Sequence, residues 1–212
     1  MPLVRWIGRA MMSPARRMRR SRFDAVPAPE GRVVFFGDSI TEQGLWDEWF
    51  PELKIANRGV GGETVAEVTA RVDTAIKGAR AVSLLVGTND ITGFGASRKA
   101  ADIADQYEVL LARIRDVVAD APVLLTSVLP RDRFFADRVR ALNGRIEAMA
   151  DAWGMTYVDA WSRMHGRRGE LRPELTHDRI HLTGTGYREW LTVLRPALER
   201  ALAETTPQEG RR

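Results

Sequence analysis

The stretch Arg32-Val33-Val34-Phe35-Phe36-Gly37-Asp38-Ser39-Ile40-Thr41 sets the frame for the rest of the chain. Residues 33–36 are β-branched and aromatic with no polar alternation, the pattern of a strand buried on both faces, and they stop at Gly37-Asp38-Ser39, which is turn chemistry. Short apolar runs of the same kind recur at Lys54–Asn57, Ala81–Val86, Pro122–Val128 and Met155–Val158. Between them the spacing is helical. Thr64–Ile76, Phe134–Trp153 and Thr185–Leu202 read as helices, and Ala100–Val118 sets Ile103, Tyr107, Leu110, Leu111, Ile114 and Val118 on one face. Strands alternating with helices build a parallel sheet covered on both faces through right-handed crossovers, so an α/β fold with five parallel strands is expected. Such sheets bind ligands beyond the carboxyl ends of their strands, which directs attention to the loops that follow each strand.

The chain has 212 residues, 44% hydrophobic and 28% charged, enough for one sizeable core of the ordinary globular kind. We expect a flexible basic arm and linker at residues 1–31, a single folded domain at 32–203 and a tail at 204–212. The absence of cysteine removes disulfide frameworks, thiolate nucleophiles and Cys-based zinc or iron–sulfur sites. The formal charge is +4, but residues 1–22 hold Arg5, Arg9, Arg16, Arg17, Arg19, Arg20 and Arg22 without an acid, so the remaining residues carry −3. A surplus confined to one short arm does not mark a nucleic-acid binder. The arm suits either an unpinned leader or an amphipathic helix in peripheral contact with an anionic membrane. It lacks the continuous apolar stretch of about 7–15 residues that a secretory signal needs. Nothing in the chain approaches the roughly 18 apolar residues of a membrane span. The expectation is a cytoplasmic protein, at most peripheral to a membrane.

Four post-strand or near-terminal fragments carry candidate chemistry. Ser39 lies where a strand gives way to a helix start, which projects a hydroxyl at the sheet edge; Gly-Asp-Ser is equally good cap chemistry. Asn57-Arg58-Gly59-Val60-Gly61-Gly62-Glu63-Thr64 can present backbone N–H groups to a ligand, but it has neither a Walker Gly-Lys-Ser/Thr nor the dinucleotide glycine spacing. In Gly87-Thr88-Asn89-Asp90 the Asn89 amide can face a developing oxyanion or form an Asx turn. In Thr176-His177-Asp178-Arg179-Ile180-His181, two histidines four apart suggest a zinc helix, which the glycine turn at Thr183-Gly184-Thr185-Gly186 opposes. The other reading pairs Asp178 with His181 as an acid orienting an imidazole base and leaves His177 on the surface.

Taken in chain order, Gly37-Asp38-Ser39, Gly62 in Gly-Gly-Glu-Thr, Gly87-Thr88-Asn89-Asp90 and Asp178-Arg179-Ile180-His181 resemble the SGNH, or GDSL-type, hydrolase family over about residues 32–203. The resemblance implies a flavodoxin-like three-layer α/β/α sandwich and an esterase without cofactor or metal. It makes Ser39 the nucleophile, His181 the base and acid, and Asp178 the residue that orients His181. The oxyanion hole would be Ser39 N–H, Gly62 N–H and the Asn89 amide, with Gly61 as an alternative donor. Arg179 stands where many relatives carry glycine, and Ile40 where the name-giving motif has leucine. Asp38, Trp46, Phe94 and Arg131 are candidates to line the substrate mouth because they neighbour these loops. Short-chain acyl or acetyl esters are the expected substrates, with acetylated carbohydrate, lysophospholipid and thioester also open. The rival expectations are a catalytically silent binding module and a metal-dependent phosphoesterase using His177 and His181.

Overall fold

The computed structural model describes residues 14–92 and 99–205. Strands β1 (Val33–Gly37), β2 (Ile55–Gly59), β3 (Ala81–Leu85), β4 (Val123–Thr126) and β5 (Thr156–Val158) form one parallel sheet in the order β2-β1-β3-β4-β5. This order places a topological switch point between β1 and β3, where the chain turns from building one side of the sheet to building the other. The helices are α1 (residues 14–24), α2 (Ser39–Glu42), α3 (Trp46–Trp49), α4 (Val65–Thr69), α5 (Val72–Ala75), α6 (Thr88–Thr92), α7 (Ala100–Val118), α8 (Ala136–Ala152), α9 (Trp161–Met164) and α10 (Gly184–Glu204).

The uninterrupted apolar runs follow from burial on both faces. Val34 and Phe36 of β1 join Val82, Leu84 and Leu125 under α4, α5, α7 and α8. Val33 and Phe35 point the other way, joining Leu85, Leu124 and Val158 under α3, α9 and α10. Every residue anticipated on the apolar face of α7 is buried. At the end of β4, Val128 donates its N–H to Asn143 Oδ1 at 2.8 Å, and its carbonyl accepts from Asn143 Nδ2 at 2.9 Å. That buried amide replaces a neighbouring strand as partner, so β4 stops short of the apolar run that contains it.

Two other expectations change. The single helix read over Thr64–Ile76 is two, α4 and α5, because Arg71 leaves helical geometry (φ −122°, ψ 12°). Its side chain turns back to Glu63 Oε2 at 2.6 Å and to the Gly37 carbonyl at 3.0 Å. The described part of the arm is also not the unpinned leader expected: residues 14–24 form α1, tied to the body by Arg16, Arg19 and Arg20. No helix among the described residues is long and apolar enough to cross a membrane.

Candidate active site

Parallel strands bring the loops after β1, β2, β3 and β4 to one edge of the sheet, and the site assembles there. Gly37 ends β1 at φ +155°; a Cβ there would meet the Leu85 carbonyl oxygen at 2.0 Å, so only glycine fits between the strands. Asp38 then caps α2, accepting the Ile40 N–H at 3.0 Å, and Ser39 becomes the first residue of the helix. Its N–H lies among the orphan donors of a helix start. Asp38 is itself fully buried, and burial raises its pKa to about 7 against the pull of the Ile40 bond and of Arg131.

The loop after β2 lies against this turn: a Cβ on Gly61 would stand 3.6 Å from Ser39 Cβ. Glu42 Oε2, one turn beyond Ser39, accepts the Gly61 N–H at 2.6 Å. The next amide, of Gly62 (φ +76°), has no acceptor among the described residues. Behind the loop, buried Glu63 accepts from Arg71 at 2.6 Å and from Arg20 at 2.6 Å. Burial raises its pKa, and the two guanidiniums oppose that rise. From the β3 loop, Asn89 donates one Nδ2 hydrogen to the Glu63 carbonyl at 2.8 Å, while Asp90 accepts the Val65 N–H at 3.0 Å. These two bonds fix the second loop to the third and leave the other Asn89 amide hydrogen uncommitted among the described residues.

The last component comes from the loop before α10. Thr176 Oγ1 accepts the Arg179 N–H at 2.9 Å, and Asp178 Oδ1 accepts the N–H groups of Ile180 at 2.9 Å and His181 at 2.8 Å. Arg179 takes φ +64°, the left-handed conformation that explains why glycine suits this position, and its guanidinium reaches Asp132 at 2.8 Å. The tight turn sets His181 Nδ1 at 2.6 Å from Asp178 Oδ2 and His181 Nε2 at 2.9 Å from Ser39 Oγ. Partial burial of Asp178 pulls its pKa up, but the bonds from His181 and the two amides outweigh it and hold the group at about 2. The carboxylate is therefore charged throughout the working pH range, and Nδ1 carries the hydrogen between them, leaving Nε2 free to accept from the serine.

A family model described as GDSL-like Lipase/Acylhydrolase matches residues 35–189, from the middle of β1 into α10. The chain belongs to this family. Its members hydrolyse esters, and so does this GDSL-like chain. It is 25% identical over 191 residues to rat platelet-activating factor acetylhydrolase IB subunit alpha1, covering 84% of this chain and 80% of that one. A GDSL-like lipase from Bacteroides thetaiotaomicron superposes with a TM-score of 0.70 at 28% identity, over 88% of this chain and 98% of the other. A Streptococcus pneumonia structure, provisionally described as a platelet activating factor, superposes with a TM-score of 0.81 at 20% identity, over 93% and 99% of the two chains.

Not every residue anticipated at this GDSL-like site lies in it. Ser39, Asp178 and His181 are joined by hydrogen bonds; Gly62 follows Gly61, which packs against Ser39, and Asn89 is tied to that loop through the Glu63 carbonyl. His177 is exposed, and both ring nitrogens of His181 are engaged by Ser39 and Asp178, so the two histidines form no metal pair. Trp46 requires correction: it is 1% exposed, stacks on Phe35 with centroids 4.0 Å apart and donates to the Thr41 carbonyl at 2.8 Å, a core residue with no face toward substrate. Asp38 likewise has no exposed surface and acts through the α2 cap. Arg131 does line a cleft, beside Thr176 and Arg179. Phe94 lies outside the described residues.

The site also has parts that motif reading missed. Glu42, which holds Gly61, was within reach of inspection because it sits three residues after Ser39 on the same turn. Arg16 was not. Its Nε donates to the Gly61 carbonyl at 3.1 Å, one terminal nitrogen to the Gly62 carbonyl at 2.7 Å and the other to Glu67 at 2.5 Å.

Proposed function

We propose that this chain hydrolyses carboxylic esters of short acyl groups by two-step acyl transfer at Ser39. The observation that carries the reading is the chain of bonds from Asp178 through His181 to Ser39, which joins residues 142 apart in sequence. His181 Nε2 takes the Ser39 proton as Oγ bonds to the ester carbonyl carbon. The tetrahedral oxyanion is held by Ser39 N–H, Gly62 N–H and the second Asn89 amide hydrogen, donors that need no rearrangement as the charge develops. Collapse breaks the bond to the alcohol oxygen, which leaves with the proton from His181. A water, deprotonated by the same nitrogen, then attacks the acyl-enzyme, and the acid departs as Ser39 recovers its proton.

Gly62 suits the donor role better than Gly61, because the Gly61 N–H is already committed to Glu42. The similarity to an acetylhydrolase subunit supports a small acyl group. The test compares the parent with Ser39→Ala on 4-nitrophenyl acetate and with a fluorophosphonate probe. We expect stoichiometric labelling at Ser39 and loss of hydrolysis in the variant. Hydrolysis by Ser39→Ala at the parental rate would overturn the assignment.

A further inference from the structure

The loop after β4 runs to the same sheet edge as Ser39 and ends in a side chain that the proposed mechanism does not use. Arg131 is 7% exposed, yet its Nε and one terminal nitrogen are buried without a hydrogen-bond partner among the described residues. A buried guanidinium is normally paired, since desolvating a charge without hydrogen bonds costs several kcal/mol, and an exception calls for an explanation. The backbone around it is firmly held. Its carbonyl accepts the Leu171 N–H at 2.8 Å, and residues 131 and 170 form an isolated parallel bridge. The backbone that presents the side chain is therefore fixed.

Arg131 lines an open cleft of about 530 Å³ bounded by the β4 loop and the loop that carries Asp178. Four arginines, Arg131, Arg133, Arg168 and Arg179, face it against only two carboxylates, Asp132 and Glu170. Both carboxylates are already engaged: Asp132 by Arg179 at 2.8 Å, and Glu170 by the Arg168 N–H at 2.9 Å. The cleft thus keeps a cationic surplus around an unpartnered guanidinium. Asp38 and Asp178 act on Arg131 through space, which places it within electrostatic range of the residue before the nucleophile and of the residue that orients the base. Burial lowers its pKa to about 10, so it stays cationic at neutral pH. Asp38 offsets that charge only in part, because its own pKa near 7 leaves it partly protonated there.

We propose that Arg131 forms the floor of an anion subsite, and that the preferred ester carries a phosphate or carboxylate group that enters this cleft while its carbonyl lies at Ser39. This rests on the serine-hydrolase reading and adds to it the class of substrate. A planar guanidinium with Nε and one terminal nitrogen unpartnered suits two-point recognition of either oxyanion. Phe134, 79% exposed at the same cleft, supplies an apolar surface for the part of the substrate between ester and anion.

The test is a panel of matched esters. Phenyl acetate is compared with 3-acetoxybenzoate and 3-acetoxyphenyl phosphate, and 4-nitrophenyl butyrate with mono-4-nitrophenyl glutarate. Each kcat/KM is divided by the ester's hydroxide-catalysed rate. We expect at least one anionic ester to exceed its neutral match by about 10- to 100-fold, the range for a charge-assisted bond in a partly dry site. In Arg131→Gln that ratio should fall to near one, and in Arg131→Lys, which keeps the charge without the fork, to an intermediate value. If Arg131→Gln does not fold, the lysine variant and Arg133→Ala carry the comparison, and both should lower the ratio. The phosphate and carboxylate arms separate the two sources of anion. Parental ratios near one, or a preference that survives Arg131→Gln, would overturn the subsite and leave the hydrolase standing. Failure of every ester together with no fluorophosphonate labelling would instead overturn the hydrolase reading.

Discussion

Replacing Arg16 by alanine should slow turnover while leaving the protein folded. Arg16 touches no reacting atom in the proposed mechanism, but its Nε holds the Gly61 carbonyl at 3.1 Å and a terminal nitrogen holds the Gly62 carbonyl at 2.7 Å. In a trans peptide the C=O and the following N–H point in opposite directions. A guanidinium gripping the Gly61 oxygen from the α1 side therefore turns the Gly62 N–H away from α1, as the proposed donor role requires. Two consecutive glycines let that peptide rotate at little steric cost, so the loop does not hold the orientation unaided. The Arg16 and Glu67 side chains are 25% and 36% exposed, which limits their ion pair to about 0–1 kcal/mol of stability after screening. The bonds to the Gly61 carbonyl, in that peptide, and to the Gly62 carbonyl, in the next one, together hold the loop by roughly 1–2 kcal/mol. Their loss lowers the population of the donating orientation by roughly 5- to 30-fold, within the limit of about 100- to 1000-fold set by complete loss of one oxyanion donor. The interaction matters only where negative charge has developed, so kcat and kcat/KM should fall together with KM unchanged. Steady-state hydrolysis of 4-nitrophenyl acetate by Arg16→Ala and Arg16→Lys, alongside thermal melts, measures this; lysine should recover part of the rate. A kcat for the alanine variant within about two-fold of the parent would mean that Arg16 merely fastens the arm.

Asn89→Ala should lower kcat by about 100- to 1000-fold, because it removes a donor whose other hydrogen is already fixed on the Glu63 carbonyl; a decrease below ten-fold in a folded variant would remove Asn89 from the oxyanion hole. Asp38→Asn should change how stability depends on pH. The parent's Asp38 binds its proton more tightly when folded (about 7 against 3.8), so its contribution is whole below about pH 4 and is lost as pH rises toward 7. Asparagine keeps the cap on Ile40 without the buried charge, so the variant should gain on the parent across that window, by on the order of 2–4 kcal/mol at pH 8. Denaturant curves that run parallel from pH 4 to 8 would contradict this. Trp46→Ala should cost about 3–5 kcal/mol of stability through the cavity it leaves, with KM for 4-nitrophenyl acetate unchanged in the folded fraction. A large KM effect without destabilisation would return Trp46 to the substrate mouth.

The strands and the long helices were legible because burial leaves a mark at every position: Val33 to Phe36 can be uninterruptedly apolar only if both sides of β1 are covered. The short helices α3, α6 and α9 were not, since four or five residues are too few to display a 3.6-residue period. The split at Arg71 was hidden for another reason: its backbone departs from the helix to serve a side chain buried between Glu63 and Gly37, and hydropathy does not register such a pair. Trp46 misled because proximity to the nucleophile in sequence was read as proximity to substrate. A residue seven positions on has instead passed through α2 and folded back onto Phe35.

The same distinction divides the site. Ser39, Asn89 and the Asp178–His181 pair are each set by a local turn whose chemistry is written in adjacent residues, so their motifs could be recognised before they were seen to meet. What orders the donors between them is non-local: Glu42 across to Gly61, Asn89 across to Glu63, and Arg16 from an arm that composition alone described as surplus charge. Arginine in such an arm has the same sequence signature whether it faces solvent, a lipid headgroup or a peptide carbonyl. Only the end point of a long side chain separates these, and for Arg16 the end points are two carbonyls on the loop that presents the Gly62 amide. A basic segment that adds no strand to the sheet can for that reason still bear on the rate of the chemistry, and the Arg16 series measures how far it does.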